Sequence, residues 1–172
     1  RSHPYAGAVY PVSRSEAEVQ GLKAYKTVTD LPEPADLAAL IIPAQFVPQE
    51  LERCGAAGIR AAIILSSGFA EEKGEAGPAL QREVHAIAEK YDMAVSGPNG
   101  EGFANTAASL CPTFSPAMDA GDVPLLPRAD RTRGQVAVIS QSGGMGFAFF
   151  DHGRPKELSF RYIVTTGNEA CL

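Results

Sequence analysis

Apolar residues occur along the chain in short runs, as is typical of strands. The runs are separated by longer polar segments. Those at 36–42 and 61–66 are continuous, and a continuous run of this length is typical of a strand buried on both faces of a sheet. Shorter runs at 8–12 and 93–97 also predict strands.

Two segments between these runs have apolar residues at helical spacing. In residues 46–58 the apolar positions share one side, and Gly58 stands where a helix would end. Residues 77–91 carry an amphipathic stripe that includes Leu80, Val84 and Ile87. Strands alternating with helices over short connections predict right-handed βαβ crossovers and an α/β fold with a parallel, doubly wound, Rossmann-like sheet.

Four loops follow the predicted strands at their carboxyl ends, where sheets of this type bind ligands. We expect the four to converge on one rim of the sheet. They are YPVSR (10–14), IPAQ (42–45), SSGFAE (66–71) and GPNGEG (97–102).

A second unit follows a segment without periodicity. Residues 107–134 carry four prolines and no regular spacing, which is typical of a connection between domains. A strand, a helix and a strand then follow in residues 135–168. We predict a first domain over 1–110, a linker over 111–133 and a second, truncated domain over 134–172. Because so few elements cannot enclose a core, we expect the chain to be part of a longer protein.

The stretch SQSGGMG, residues 140–146, joins the second unit's first strand to its helix. Gln141 and Ser142 can cap that helix, while Gly143 and Gly144 let a ligand approach the backbone. The unpaired N–H groups and partial positive charge of a helix N-terminus favour an anion such as phosphate. The alternative is a capped turn that binds nothing. GxGxxG, the fingerprint of a nicotinamide oxidoreductase, is not present here.

Composition excludes several other classes. The net charge of −5 argues against a nucleic-acid surface, and the chain contains no apolar run of about 18 residues that would span a membrane. The three cysteines and three histidines have no metal-ligand spacing. An odd number of cysteines without a framework favours a reducing, cytoplasmic location. We expect His85 and His152 to lie on helix surfaces and Cys54 to lie in the core, none of them catalytic.

Taken together, these motifs resemble those of the NDP-forming acyl-CoA synthetases. That family includes the ADP-forming acetate–CoA ligases and is related to the succinyl-CoA synthetase alpha subunit. The motifs occur in the family's order over nearly the whole chain. They are VYPVSR, DLPEPADLAALIIPAQ, IILSSGFAE, GPNGEGFAN, PTFSP, VAVISQSGGMG and TTGNEA.

The resemblance implies a Rossmann-like CoA-binding domain followed by the start of a flavodoxin-like ligase domain. It implies phosphate binding at Gln141, Ser142, Gly143 and Gly144. It also assigns a set of residues to coenzyme A, with Asn99 near the thiol and the acyl-phosphate. These are Pro11, Val12, Ser13, Pro43, Ser66, Ser67, Gly68 and Asn99.

The reaction implied by the resemblance interconverts a carboxylic acid, CoA and ATP or GTP with acyl-CoA, ADP or GDP, and phosphate. It passes through acyl-phosphate and phosphohistidine intermediates. The histidine is expected beyond Leu172, and the nucleotide with Mg²⁺ is expected on an ATP-grasp beta-type domain or subunit of an oligomer. Many relatives have Cys after GPN and Asn-Pro after VYPV, whereas Gly100 and Ser13 stand here. The alternative function is a non-catalytic CoA-binding or regulatory module.

Overall fold

The computed structural model describes residues 5–119 and 135–171. The C-terminal part of the predicted linker, from residue 120 onward, lies outside these residues, as do His3 and Leu172. None of the described helices is both long and apolar enough to cross a membrane. The strands and helices are β1 Glu18–Val19, β2 Leu22–Lys23, β3 Leu37–Leu40, α1 Val47–Ala56, β4 Ala61–Ile64, α2 Ala76–Tyr91, β5 Ala94–Ser96, β6 Phe103–Asn105, β7 Val136–Ser140, α3 Gly143–Gly153 and β8 Phe160–Thr165.

The first sheet is parallel, with strand order β3-β4-β5. Its register places Leu40 beside Ile64 and Ala62 beside Val95, so these side chains share one face. Helices α1 and α2 cover that face and pack against each other. Leu51 of α1 is fully buried there. The predicted α/β class, parallel sheet and helices are confirmed.

The second sheet has strand order β6-β8-β7. Strands β7 and β8 are parallel and connected by α3, as predicted, and Phe147 and Phe150 of α3 are buried in a second core. Strand β6 pairs antiparallel with β8, so residues 103–105 join the sheet of the second unit. Their pairing partner lies more than fifty residues later in the chain.

The strand predicted over 8–12 does not form. Within this run only Val12 makes a bridge, with Tyr25. Pro11 has no N–H group to donate to a strand ladder, and its carbonyl instead accepts from the N–H of Tyr25 at 2.9 Å. The short antiparallel hairpin of β1 and β2, which sequence patterning did not predict, precedes Tyr25.

Candidate functional site

The carboxyl ends of β3, β4 and β5 meet at one rim. The Ser66 hydroxyl, after β4, donates to the carbonyl of Ile42, after β3, at 2.5 Å and accepts from the N–H of Ile42 at 3.3 Å. The N–H of Asn99, after β5, donates to the carbonyl of Ser66 at 2.8 Å. Convergence is therefore confirmed for the loops IPAQ, SSGFAE and GPNGEG.

The fourth loop, YPVSR, reaches the same edge through a charged contact. Arg14 donates to the carboxylate of Glu50 at 2.6 Å. Glu50 lies in the first turn of α1, the helix that begins at the carboxyl end of β3. The loop is therefore close to the rim even though no strand precedes it.

The residues predicted to contact CoA differ in their solvent exposure. Val12, Pro43, Ser67 and Asn99 are exposed, whereas Pro11, Ser13, Ser66 and Gly68 are partly exposed. The Ser66 hydroxyl already bonds to both backbone groups of Ile42, so it joins two strand ends.

Two apolar side chains at the rim were missed by sequence reasoning. Ile41 is 72% exposed directly after β3, and Phe46 is 41% exposed before α1. The signal was that Ile41 lies near the end of the apolar run at 36–42, where the chain leaves the sheet. Both side chains offer apolar surface beside the polar loops of the rim.

The GPNGEG loop is held by the second unit. Thr165, at the end of β8 and 1% exposed, donates its hydroxyl to the carbonyl of Gly102 at 2.7 Å and accepts from the N–H of Glu101 at 2.9 Å. The loop at the end of the first sheet is therefore fixed by a side chain from the second sheet.

The N-terminus of α3 lies next to this loop. Ser142 caps the helix, its hydroxyl accepting from the N–H of Met145 at 3.4 Å, as predicted. Gln141 contributes its carbonyl, which accepts from the N–H of Gly167 at 3.2 Å.

The two adjacent glycines of α3 have different surroundings. A Cβ on Gly143 would lie 2.5 Å from Cβ and 2.7 Å from Oε2 of Glu101, whereas a Cβ on Gly144 would meet no atom within 4 Å. The helix tip is therefore open at Gly144 and bordered by the Glu101 carboxylate at Gly143.

The segment 165–171, which contains TTGNEA, extends from β8 along the first unit. The N–H of Asn168 donates to the carbonyl of Pro98 at 2.8 Å, and that of Ala170 donates to the carbonyl of Gly97 at 3.1 Å. Ala170 and Cys171 pack against the first core. Sequence reasoning assigned no role to Asn168, although it lies in a motif that carried the family resemblance.

The remaining titratable candidates behave as expected of structural groups. His85 lies half-exposed on α2, where its Nδ1 is 3.0 Å from the carbonyl oxygen of Ala170, and His152 lies exposed in the last turn of α3. Burial raises the pKa of the Cys54 thiol to about 11. Within residues 5–119 and 135–171, no His, Cys, Asp and Glu side chains form a group of three or more suited to a metal ion.

A parallel sheet whose strand-end loops converge at one rim defines an α/β protein of the Rossmann-like class, in which ligands bind at that edge. Residues 3–106 match the family model described as a CoA binding domain, and residues 133–172 match that of the succinyl-CoA ligase like flavodoxin domain. The chain belongs to the CoA binding domain family, and its second unit matches the flavodoxin-like model.

Curated relatives support the same assignment. The chain is 39% identical over 166 residues to the alpha subunit of ADP-forming acetate–CoA ligase II of Pyrococcus furiosus, covering 96% of this chain and 33% of that protein. It is 38% identical over 170 residues to the ligase I alpha subunit of the same organism, with 96% and 34% covered. The chain thus spans about a third of the length of these relatives, and the predicted resemblance is confirmed.

A solved structure agrees over nearly the whole chain. It is the dinucleotide forming acetyl-coenzyme A synthetase 1 of Ca. Korarchaeum cryptofilum in complex with phosphate and ADP. The TM-score is 0.81 at 34% identity, with 99% of this chain and 34% of that chain covered.

Proposed function

We propose that this chain is the CoA-binding part, and the start of the ligase part, of an NDP-forming acyl-CoA synthetase. In the full-length protein, a carboxylic acid, CoA and ATP or GTP are interconverted with acyl-CoA, ADP or GDP, and phosphate. The observation that carries this proposal is that three strand-end loops meet at one rim, where the GPNGEG loop borders the tip of α3 and the segment 165–171. The CoA thiol attacks the acyl carbon of an acyl-phosphate and releases phosphate, so the CoA site and the phosphate site must be neighbours.

In this proposal CoA lies across the rim. It passes the exposed side chains of Val12, Pro43 and Ser67, and its thiol end approaches Asn99. The amide of Asn99 can both donate and accept, which suits a position between a thiol and an acyl-phosphate. Ile41 and Phe46 add apolar surface for the pantetheine chain.

The transferred phosphoryl group binds at the open tip of α3, at Gln141, Ser142, Gly143 and Gly144. Phosphoryl transfer depends mainly on positioning and charge stabilisation, and preorganised backbone N–H groups provide both. The carboxylate of Glu101 beside Gly143 carries the same sign as phosphate, so the approach over Gly144 is the favoured one. The histidine that carries the phosphoryl group is proposed to lie beyond Leu172 in the full-length protein.

An ATP-grasp beta-type domain or subunit supplies the nucleotide, and bound Mg²⁺ would screen the charge of its phosphates there. The full-length protein is proposed to be an oligomer in the cytoplasm.

The competing function is a CoA-binding regulatory module of the same fold. Acyl-CoA formation by the full-length protein with a panel of carboxylic acids separates the two, since a regulatory module forms none.

Thermal denaturation of the full-length protein with and without CoA tests the binding site. A hundredfold excess over Kd stabilises a binding protein by about 2.7 kcal/mol, so the melting temperature should rise. Ser67→Trp should abolish the rise, because the exposed Ser67 side chain allows an indole to fill the rim.

Glu83→Trp is the matched control, since Glu83 is exposed on α2 and is not among the predicted CoA contacts. It should retain the rise. A wild-type protein that shows no shift, or an unaltered shift in Ser67→Trp, would contradict CoA binding at this rim.

A further inference from the structure

Asn168 of the second unit lies among loops of the first. Its side-chain amide donates to the carboxylate of Glu71 and, at 3.1 Å, to Oε1 of Gln81. Its Oδ1 accepts from the amide of Asn99 at 3.3 Å. One half-buried side chain therefore contacts the SSGFAE loop, α2 and the GPNGEG loop.

Glu71 transmits this contact to the backbone of its own loop. Its Oε1 accepts from the N–H of Gly68 at 2.5 Å and from that of Phe69 at 3.2 Å, while Oε2 accepts from Asn168. Gln81 acts in parallel, because its Oε1 also accepts from the N–H of Ala70 at 3.2 Å. The turn at 68–70 is thus connected to Asn168 through two side chains.

The backbone of Asn168 fixes its position independently of its side chain. Its N–H donates to the carbonyl of Pro98, and the neighbouring Gly167, with φ of 61°, approaches the same carbonyl so closely that a Cβ there would clash. The side chain is therefore presented from a fixed point. An amide is also required chemically, because an aspartate could not donate to Glu71 and Gln81.

We infer that Asn168 is a positioning residue for CoA, which holds Asn99 and, through Glu71, the turn at 68–70 in the orientation that binds the ligand. This inference rests on the proposed function. It adds that the CoA site of the first unit is completed by a residue of the second. Loss of the Asn168 side chain should weaken CoA binding while leaving nucleotide binding unchanged.

The test is calorimetric titration of the full-length protein with CoA and, separately, with ADP. Asn168→Asp places a carboxylate against that of Glu71, and the Kd for CoA should rise about tenfold, as expected when a charged hydrogen bond is replaced by repulsion. The Kd for ADP should remain within about twofold of wild type. In the double variant Asn168→Asp with Glu71→Gln, the side chain at position 71 becomes the donor and that at position 168 the acceptor. Much of the CoA affinity should therefore return.

Glu169→Gln is the matched control, because its carboxylate accepts from Thr166 within the same segment and lies one residue from Asn168. It should bind CoA as wild type does. If Asn168→Asp does not fold, Asn168→Ser removes the contacts without adding charge and should raise the Kd about threefold.

Three results would overturn the inference: unchanged CoA affinity in a folded Asn168 variant, equal weakening of CoA and ADP binding, or purely additive effects of the Asn168 and Glu71 changes. A wild-type protein that binds no CoA would instead overturn the proposed function, and with it this inference, before any variant is measured.

Discussion

At the scale of single residues, Glu71 shows how surroundings set the behaviour of a carboxylate. Burial alone raises its pKa, but hydrogen bonds from the N–H of Gly68, the amide of Asn168 and the N–H of Phe69 together outweigh that effect and lower it. The charged form is therefore favoured in the folded protein. Its glutamate identity could be read from the sequence, whereas its partners could not, because Asn168 is 97 positions away.

The lowered pKa of Glu71 predicts a pH dependence. Its contribution to folding is present above the unfolded-state pKa, near 4.5, and is lost as pH falls through the lower folded-state pKa. We expect the melting temperature of wild type to fall more steeply below about pH 4.5 than that of Glu71→Gln.

Melting curves between about pH 3 and pH 7 measure this difference. Glu72→Gln is the control, since Glu72 is the exposed neighbour in sequence. It should follow the wild-type curve. Parallel curves for wild type and Glu71→Gln would show that the carboxylate is not stabilised by these hydrogen bonds.

At the scale of elements, local patterning predicted well where an element is decided by its own residues. Helix α2 has an apolar stripe over its full length, and α3 spans the 143–153 segment predicted from its flanking signals. The run at 8–12 has strand-like composition but obtained a pairing partner only at Val12. A strand forms only where a second strand is available to pair with it, and composition does not specify that partner.

The tip of α3 supports a prediction about its two glycines. Gly144→Val should fold, because a Cβ there meets no atom within 4 Å and a β-branched residue is no less favourable in a helix than Gly. It should nevertheless reduce phosphorylation of the full-length protein about tenfold or more, because its side chain occupies the approach to the N–H groups.

Incorporation of radiolabelled phosphate from ATP measures the effect. The CoA-induced melting shift should persist in Gly144→Val. Phe149→Val is the control, being exposed on the same helix away from its tip. Normal phosphorylation of Gly144→Val would mean that the phosphoryl group does not bind at this helix end.

At the scale of the whole molecule, the Thr165 hydroxyl is one of the contacts between the two units, and it holds the GPNGEG loop. Thr165→Val removes the hydroxyl that accepts from the N–H of Glu101 and donates to Gly102. Leaving such a group without a partner costs about 1–3 kcal/mol. We expect destabilisation of that size, together with weaker CoA binding because the GPNGEG loop is no longer held.

Chemical denaturation measures the stability change, and amide hydrogen exchange at Glu101 locates it. Thr29→Val, at an exposed position, is the control for the same substitution. A Glu101 amide that stays protected in Thr165→Val would mean that other contacts hold the loop.

By itself, the sequence determined the alternation of strands and helices, the strand-end loops and the Ser142 cap, because each depends on neighbouring residues. Only the tertiary structure decided that β6 joins β8, that Thr165 holds the GPNGEG loop and that Asn168 meets Glu71 and Asn99. These contacts join residues roughly 60 to 100 positions apart. Local periodicity contains no information about which distant groups meet; that is settled when the two sheets fold and pack.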